Sequence, residues 1–143
     1  MHLQKRFAAL ILLSLLTVLV LPLAAGPAEA AFHPVRISSV QADSPGSDTG
    51  SNASLNAEWV RIHNYGSKAK NLGGWTLRDN ANHVYRFGSF NLRAGHTVRI
   101  HTGKGTNTAT DRYQGRGWYV WNNGHDKAIL KNSAGTTVST RTW

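Results

Sequence analysis

Beyond residue 30, the side chains suited to acid–base or metal chemistry are Asp43, Asp48, Glu58, Asp79, Asp111 and Asp126, with His33, His63, His83, His96, His101 and His125. The chain has no cysteine, which removes thiol nucleophiles, thiolate ligands and disulfides together. Hydrolysis needs a nucleophile beside a base, a carboxylate pair, or a bound metal. No serine stands in a Gly-x-Ser-x-Gly elbow. Asp79, Asp111 and Asp126 each fall beside an expected strand end, where a carboxylate ordinarily closes a turn. The histidines show no tight H-x-x-x-H spacing. His63 and His101, both on outward faces of expected strands, are the pair best placed to converge, yet two exposed histidines need further ligands to hold zinc. The oxygen-rich stretch 43–58 raises calcium, but it lacks EF-hand spacing. Gly103-Lys-Gly-Thr-Asn107 lacks both the spacing and the following helix of a phosphate loop. The expectation is a protein with no catalytic residues, no cofactor and no metal.

The chemistry that remains is that of a surface. Trp59, Arg61 and His63 alternate with Val60 and Ile62, and Thr97, Arg99 and His101 alternate with Val98 and Ile100. A period of two describes strands with one buried face. Should the two strands share a sheet, Trp59, Arg61, His63, Arg99 and His101 would form a basic, partly aromatic binding face. The competing reading is a solvated sheet face with Trp59 covered by a loop. Excluding Lys5, Arg6 and Glu29 leaves a formal charge of +8, one less than the +9 of the whole chain. That balance favours anionic partners such as wall polymers, anionic lipid surfaces or nucleic acid. The charges are dispersed, with Lys68-Ala-Lys70 a local doublet on an expected turn. No helix-turn-helix, zinc-finger spacing or RNP-type strand is present, so sequence-specific nucleic-acid reading is not expected.

Exclusion of the first thirty residues follows from their pattern. Lys5 and Arg6 precede an apolar run from Phe7 to Leu23, and Ala28-Glu29-Ala30 offers small residues at an A-x-A cleavage site. The expectation is a cleaved signal peptide, residues 1–30, with secretion of residues 31–143 and no transmembrane span thereafter. An uncleaved anchor is the alternative, since the run touches the lower limit for a spanning helix, about 17 residues. Residues 31–143 suit one domain, near the common size of roughly 100–150 residues. Without disulfides, its core must rest on packing, and Trp75 and Trp121 are the expected core tryptophans.

No segment reads as a helix. A first strand is expected over Val35–Val40, with Val35, Ile37 and Ser39 on one face and Arg36, Ser38 and Val40 on the other. Residues 42–56 and 103–114 read as polar loops. Trp75 and Leu77 point one way in a strand opened by Gly73-Gly74, as do Tyr85 and Phe87 in another. Trp118–Trp121 reads as a strand joined to residues 126–131 by a tight turn at Asn122-Asn123-Gly124, where Gly124 suits positive φ. A turn at Asn132–Gly135 leads to a last strand. Roughly eight short strands between turns indicate an all-β sandwich. Glu58 stands either to accept hydrogen bonds from a neighbouring loop or as a surface carboxylate.

Several pieces in order carry a resemblance. They are Asn56-x-Glu58 with the Val60/Ile62 alternation, Leu72-x-Gly74-Trp75-x-Leu77-x-Asp79, Leu92-x-x-Gly95 before Val98, Trp121-Asn-Asn-Gly-His-Asp126-Lys-Ala-Ile-Leu130, and Ser133-Ala-Gly135. Together they resemble the lamin tail domain family, and most of all its short standalone versions exported by bacteria. The resemblance implies an immunoglobulin-like β-sandwich without a catalytic centre. The coiled-coil rod, nuclear localisation cluster and prenylation cysteine of nuclear lamins have no counterpart here, so their filament roles are not carried over. The expected function is a secreted, non-enzymatic binding or scaffolding module for a protein or cell-envelope partner, with extended edge strands as one route of contact. The alternative is a general polyanion binder using the basic sheet face. A metal-dependent hydrolase ranks last.

Overall fold

The structure, a computed structural model, describes residues 33–143, so the expected signal peptide lies outside the described residues. Two four-stranded sheets form the body. The first has the order β1-β2-β7-β8, built from β1 (Val35–Gln41), β2 (Trp59–Asn64), β7 (Thr97–His101) and β8 (Asp111–Tyr113). The second has the order β10-β9-β4-β5, from β4 (Thr76–Arg78), β5 (Val84–Arg86), β9 (Lys127–Lys131) and β10 (Thr137–Thr142). A two-stranded ribbon joins β3 (Lys70–Asn71) to β6 (Asn91–Leu92). Pairing is antiparallel except for β7 with β8.

The apolar alternation of each strand meets that of the other sheet. Val35, Val60, Ile62, Val98 and Ile100 from the first sheet pack with Leu77, Ala128 and Leu130 from the second, around Trp75, Phe87 and Trp121. Both expected core tryptophans are buried, at 3% and 2% exposure. This is an all-β, immunoglobulin-like sandwich.

The structure corrects the strand reading in four places. A bulge between Ile37 and Ser39 shifts the phase of β1. Val40 then pairs with the inward Val60 and packs against the core, while Ser39 pairs with the outward Arg61. One extra residue exchanges the two faces, which strict alternation does not anticipate. Residues 52–56, expected as loop, belong to the helix α1 (Asn52–Ala57). Its signal was the Ser51 cap, whose side chain accepts from the Ser54 N–H; six residues burying only Leu55 show no helical period. The polar loop 103–114 contains β8, so the described strands number ten. Finally, Trp118–Trp121 is not a strand. Gly124 is also absent from the positive-φ glycines; the turn is made by Asp126, which accepts from the Asn122 and Lys127 N–H groups at 3.1 and 2.7 Å.

Residues 118–121 leave the sheets because Glu58 claims their amides. Glu58 is fully buried, and its Oε1 accepts from Val120 N–H at 2.9 Å, Trp121 N–H at 3.1 Å and the Thr102 hydroxyl at 2.6 Å. Its own N–H caps α1 on the Leu55 carbonyl, at 3.3 Å. Of the two roles open to it, it takes the one that braces a loop. At the far end of β2, Asn64 is equally buried and donates to the Lys68 and Leu92 carbonyls at 2.9 and 3.0 Å.

Removing Glu58 strands buried donors, each costing about 1–3 kcal/mol. Glu58→Ala is expected to destabilise the fold by about 3 kcal/mol in urea unfolding followed by tryptophan fluorescence, and Glu58→Gln by less. Burial pushes the Glu58 carboxyl above its ordinary value, although hydrogen bonds from Thr102, Val120 and Trp121 pull it down. Oε2, buried without a partner, is the oxygen available to a proton. A raised folded value means stability that is present at acid pH and lost as pH rises through it. The advantage of the wild type over Glu58→Gln should therefore be larger near about pH 4 than near about pH 7.

Candidate binding face

β2 supplies the middle of the outer face of the first sheet, because its inward Val60 and Ile62 force Trp59, Arg61 and His63 outward. β7 pairs with it in a register that sets Arg61 opposite Arg99, Trp59 opposite His101, and His63 opposite Thr97. The structure thus brings all five sequence-selected residues onto adjoining strands. β1 extends the rows with Arg36 beside His63, and β8 adds Asp111 beside Arg99 and Tyr113 beside His101.

Trp59 lies against both arginines, with the guanidinium carbons of Arg61 and Arg99 at 5.0 and 5.2 Å from its ring. It is therefore not covered by a loop alone; cation–π contact with the two arginines occupies it. At one edge, Tyr65 is 50% exposed, packs on His63 with ring centroids 4.1 Å apart, and carries the Arg36 guanidinium 4.4 Å away. Tyr65 and Tyr113 extend the aromatic character of the face. Sequence reasoning missed both, since one sits in a turn and the other in an apparent loop.

Like charges directly opposite across strands are destabilising. Among the described residues, neither Arg61 nor Arg99 has a carboxylate within salt-bridge distance. Asp111, the acid beside Arg99, is already engaged: Oδ1 meets His101 Nε2 at 2.9 Å and Oδ2 accepts from the Thr110 hydroxyl at 2.6 Å. A depression of about 410 Å³ opens here, lined by Arg61, Thr97, Arg99, Thr110 and Asp111.

His101 has a different place from the other four. Its side chain is only 12% exposed, and Nδ1 faces the Asn56 carbonyl at 2.7 Å while Nε2 faces Asp111. Both nitrogens meet oxygen partners, so the ring is held at both ends. His101 ties α1 to β8 and stacks on Tyr113 at 5.0 Å, in service of the fold. His63 and His101 stand four positions apart along the paired strands, roughly 13 Å, too far to share one metal ion. In the oxygen-rich stretch, Asp43 accepts from the Asn123 side chain, and the buried Glu58 is taken up by the Thr102 hydroxyl and two amides. No cluster of three or more potential ligands occurs among the described residues.

The edge-strand route narrows as well. The Asp111 and Tyr113 N–H groups of β8 donate to the Thr108 and Asn107 side chains, and the Asp111 carbonyl accepts from Thr108 N–H. The chain's own loop occupies that edge.

The family described as Lamin Tail Domain matches residues 28–143, and the chain belongs to it. Its members are immunoglobulin-like domains, generally interaction modules that are not enzymatic. No curated protein matches the chain.

Burial works against ionisation of Asp111, but hydrogen bonds from Thr110 and His101, with the charges of His101 and Arg99, hold its carboxyl below the ordinary range. A lowered folded value means stability that is present above the ordinary range and lost as pH falls through it. The wild type should therefore be more stable than Asp111→Asn near about pH 6, with the gap closing toward about pH 2.5 in urea titrations.

Proposed function

We propose that this lamin tail domain is an exported, non-catalytic module that docks on an anionic partner of the cell envelope through the outer face of β1-β2-β7-β8. The observation that carries the reading is the cross-strand pair Arg61 and Arg99, which among the described residues have no carboxylate within salt-bridge distance and which both lie against Trp59. Such a pair costs stability in the free protein, about 0.2–1 kcal/mol on the scale of cross-strand pairs. An anion seated between the guanidiniums removes that repulsion and gains charge-assisted hydrogen bonds. Export is supported by Lys5 and Arg6 before the apolar run and by the small residues at Ala28 and Ala30. Among the described residues, no helix is long and apolar enough to cross a membrane.

A second reading takes the same face as a protein interface. Trp59, Tyr65, Arg61 and Arg99 are the residue types that dominate interface hot spots, and Tyr65 is half exposed. Salt separates the two: binding to a polyanion weakens steeply as salt rises, whereas an apolar protein contact changes little.

The test is binding of a polyphosphate chain and of purified cell wall over a range of salt, with the Arg61→Ser/Arg99→Ser double variant alongside. The variant should fold with stability within about 1 kcal/mol of wild type, since a repulsion and two ring contacts are lost together. Its affinity should fall at least about tenfold, with a salt slope shallower by about 1–2. Unchanged binding by the folded double variant would sink the proposal.

A further inference from the structure

Away from this face, Trp118 is 65% exposed, and its seat is fixed from beneath. The ring lies over Gly50, where a Cβ would stand 2.6 Å from Cζ3, and Tyr119 meets it edge-on at 5.4 Å. Gly50 has φ +67°, and its N–H donates to the Tyr119 hydroxyl at 3.3 Å. A position with left-handed φ and no room for Cβ admits only glycine, so the backbone itself is the support. An indole seated this way is a platform open to solvent.

His83 and Arg116 line the same shallow groove of about 510 Å³, and no acid is among its described lining residues. Asp79, 1% exposed, closes the turn before β5 by accepting from His83 N–H with Oδ1 at 2.7 Å. The turn needs only that bond. The second oxygen meets His83 Nδ1 at 2.6 Å and so orients an imidazole at the surface. With Nδ1 engaged by Asp79, Nε2 is the ring nitrogen left for a ligand. Arg116 is anchored through its N–H on the Thr102 carbonyl and through one guanidinium nitrogen on the Val84 carbonyl, at 2.9 and 3.0 Å. Its other guanidinium donors remain available.

We propose that this groove binds a carbohydrate, specifically a pyranose ring that carries a carboxylate. The C–H face of the sugar rests on Trp118, a hydroxyl hydrogen-bonds to His83 Nε2, and the carboxylate pairs with Arg116. Charge complementarity selects the anion, because the described lining residues include a cation and no acid. A hydroxyl can donate to Nε2 or accept from it, so a sugar satisfies the ring in either tautomer, whereas an ionised phosphate oxygen only accepts. The site rests on Trp118, His83 and Arg116 and does not depend on the Arg61–Arg99 face.

The purified protein is titrated with trigalacturonate, with neutral maltotriose and with a thymidine trinucleotide, followed by calorimetry. Trigalacturonate should bind in preference to both others. Trp118→Ala should weaken it at least about tenfold, and Trp118→Phe should retain most of the affinity. Both Trp118 variants alter an exposed ring, and urea unfolding confirms that they fold. Equal binding by Trp118→Ala overturns the proposal, as does failure of trigalacturonate to bind. Tighter binding of maltotriose or the trinucleotide overturns it too.

Discussion

The enclosure of one carboxylate organises much of this domain. Glu58 stands where α1 ends and β2 begins, and it is fully buried. A buried carboxylate is tolerated only with donors around it, and three converge on Oε1: two amides of the 118–121 segment and the Thr102 hydroxyl after β7. One residue thereby joins helix, strand, strand end and loop. Without disulfides, polar bracing of this kind holds the loops that apolar packing leaves unsecured.

The same device recurs. Asn64 braces the other end of β2, Asp79 closes the turn before β5, and Asp126 shapes the turn before β9. Each is nearly inaccessible, and each accepts from or donates to backbone a few residues away or across the fold. Glu58, Asp79 and Asp126 are in this way committed to architecture. Asp111 is the more exposed exception, and even it is shared by His101 and Thr110.

With the loops braced, the outer face of the first sheet is left to carry charge. β2 and β7 are held in register by their buried valines and isoleucines, so Arg61 and Arg99 must stand opposite one another on the other side. The core enforces a repulsive pair on the surface, and Trp59 lies against both guanidiniums. The groove under Trp118 is separate chemistry with the same origin. The loop that bears it is positioned by the amides that Glu58 holds and by the hydrogen bond of Tyr119 to Ser54.

From the sequence alone, the strands β2, β4, β5 and β7, the inward residues of each, the two core tryptophans and the family could be read, because period-two alternation and turn residues are local signals. The outward phase of Trp59, Arg61, His63, Arg99 and His101 was legible for the same reason. Alternation says which way a side chain points, but not which strand lies beside it. The pairing of Arg61 with Arg99, and the withdrawal of His101 to Asp111 and the Asn56 carbonyl, required the tertiary register. Helix α1 was invisible because six residues are too few for a helical period. The 118–121 segment reads as a strand by composition, yet its amides answer to a carboxylate 62 residues earlier in the chain. Only folding brings those groups together, and the burial of a charge then overrules local propensity.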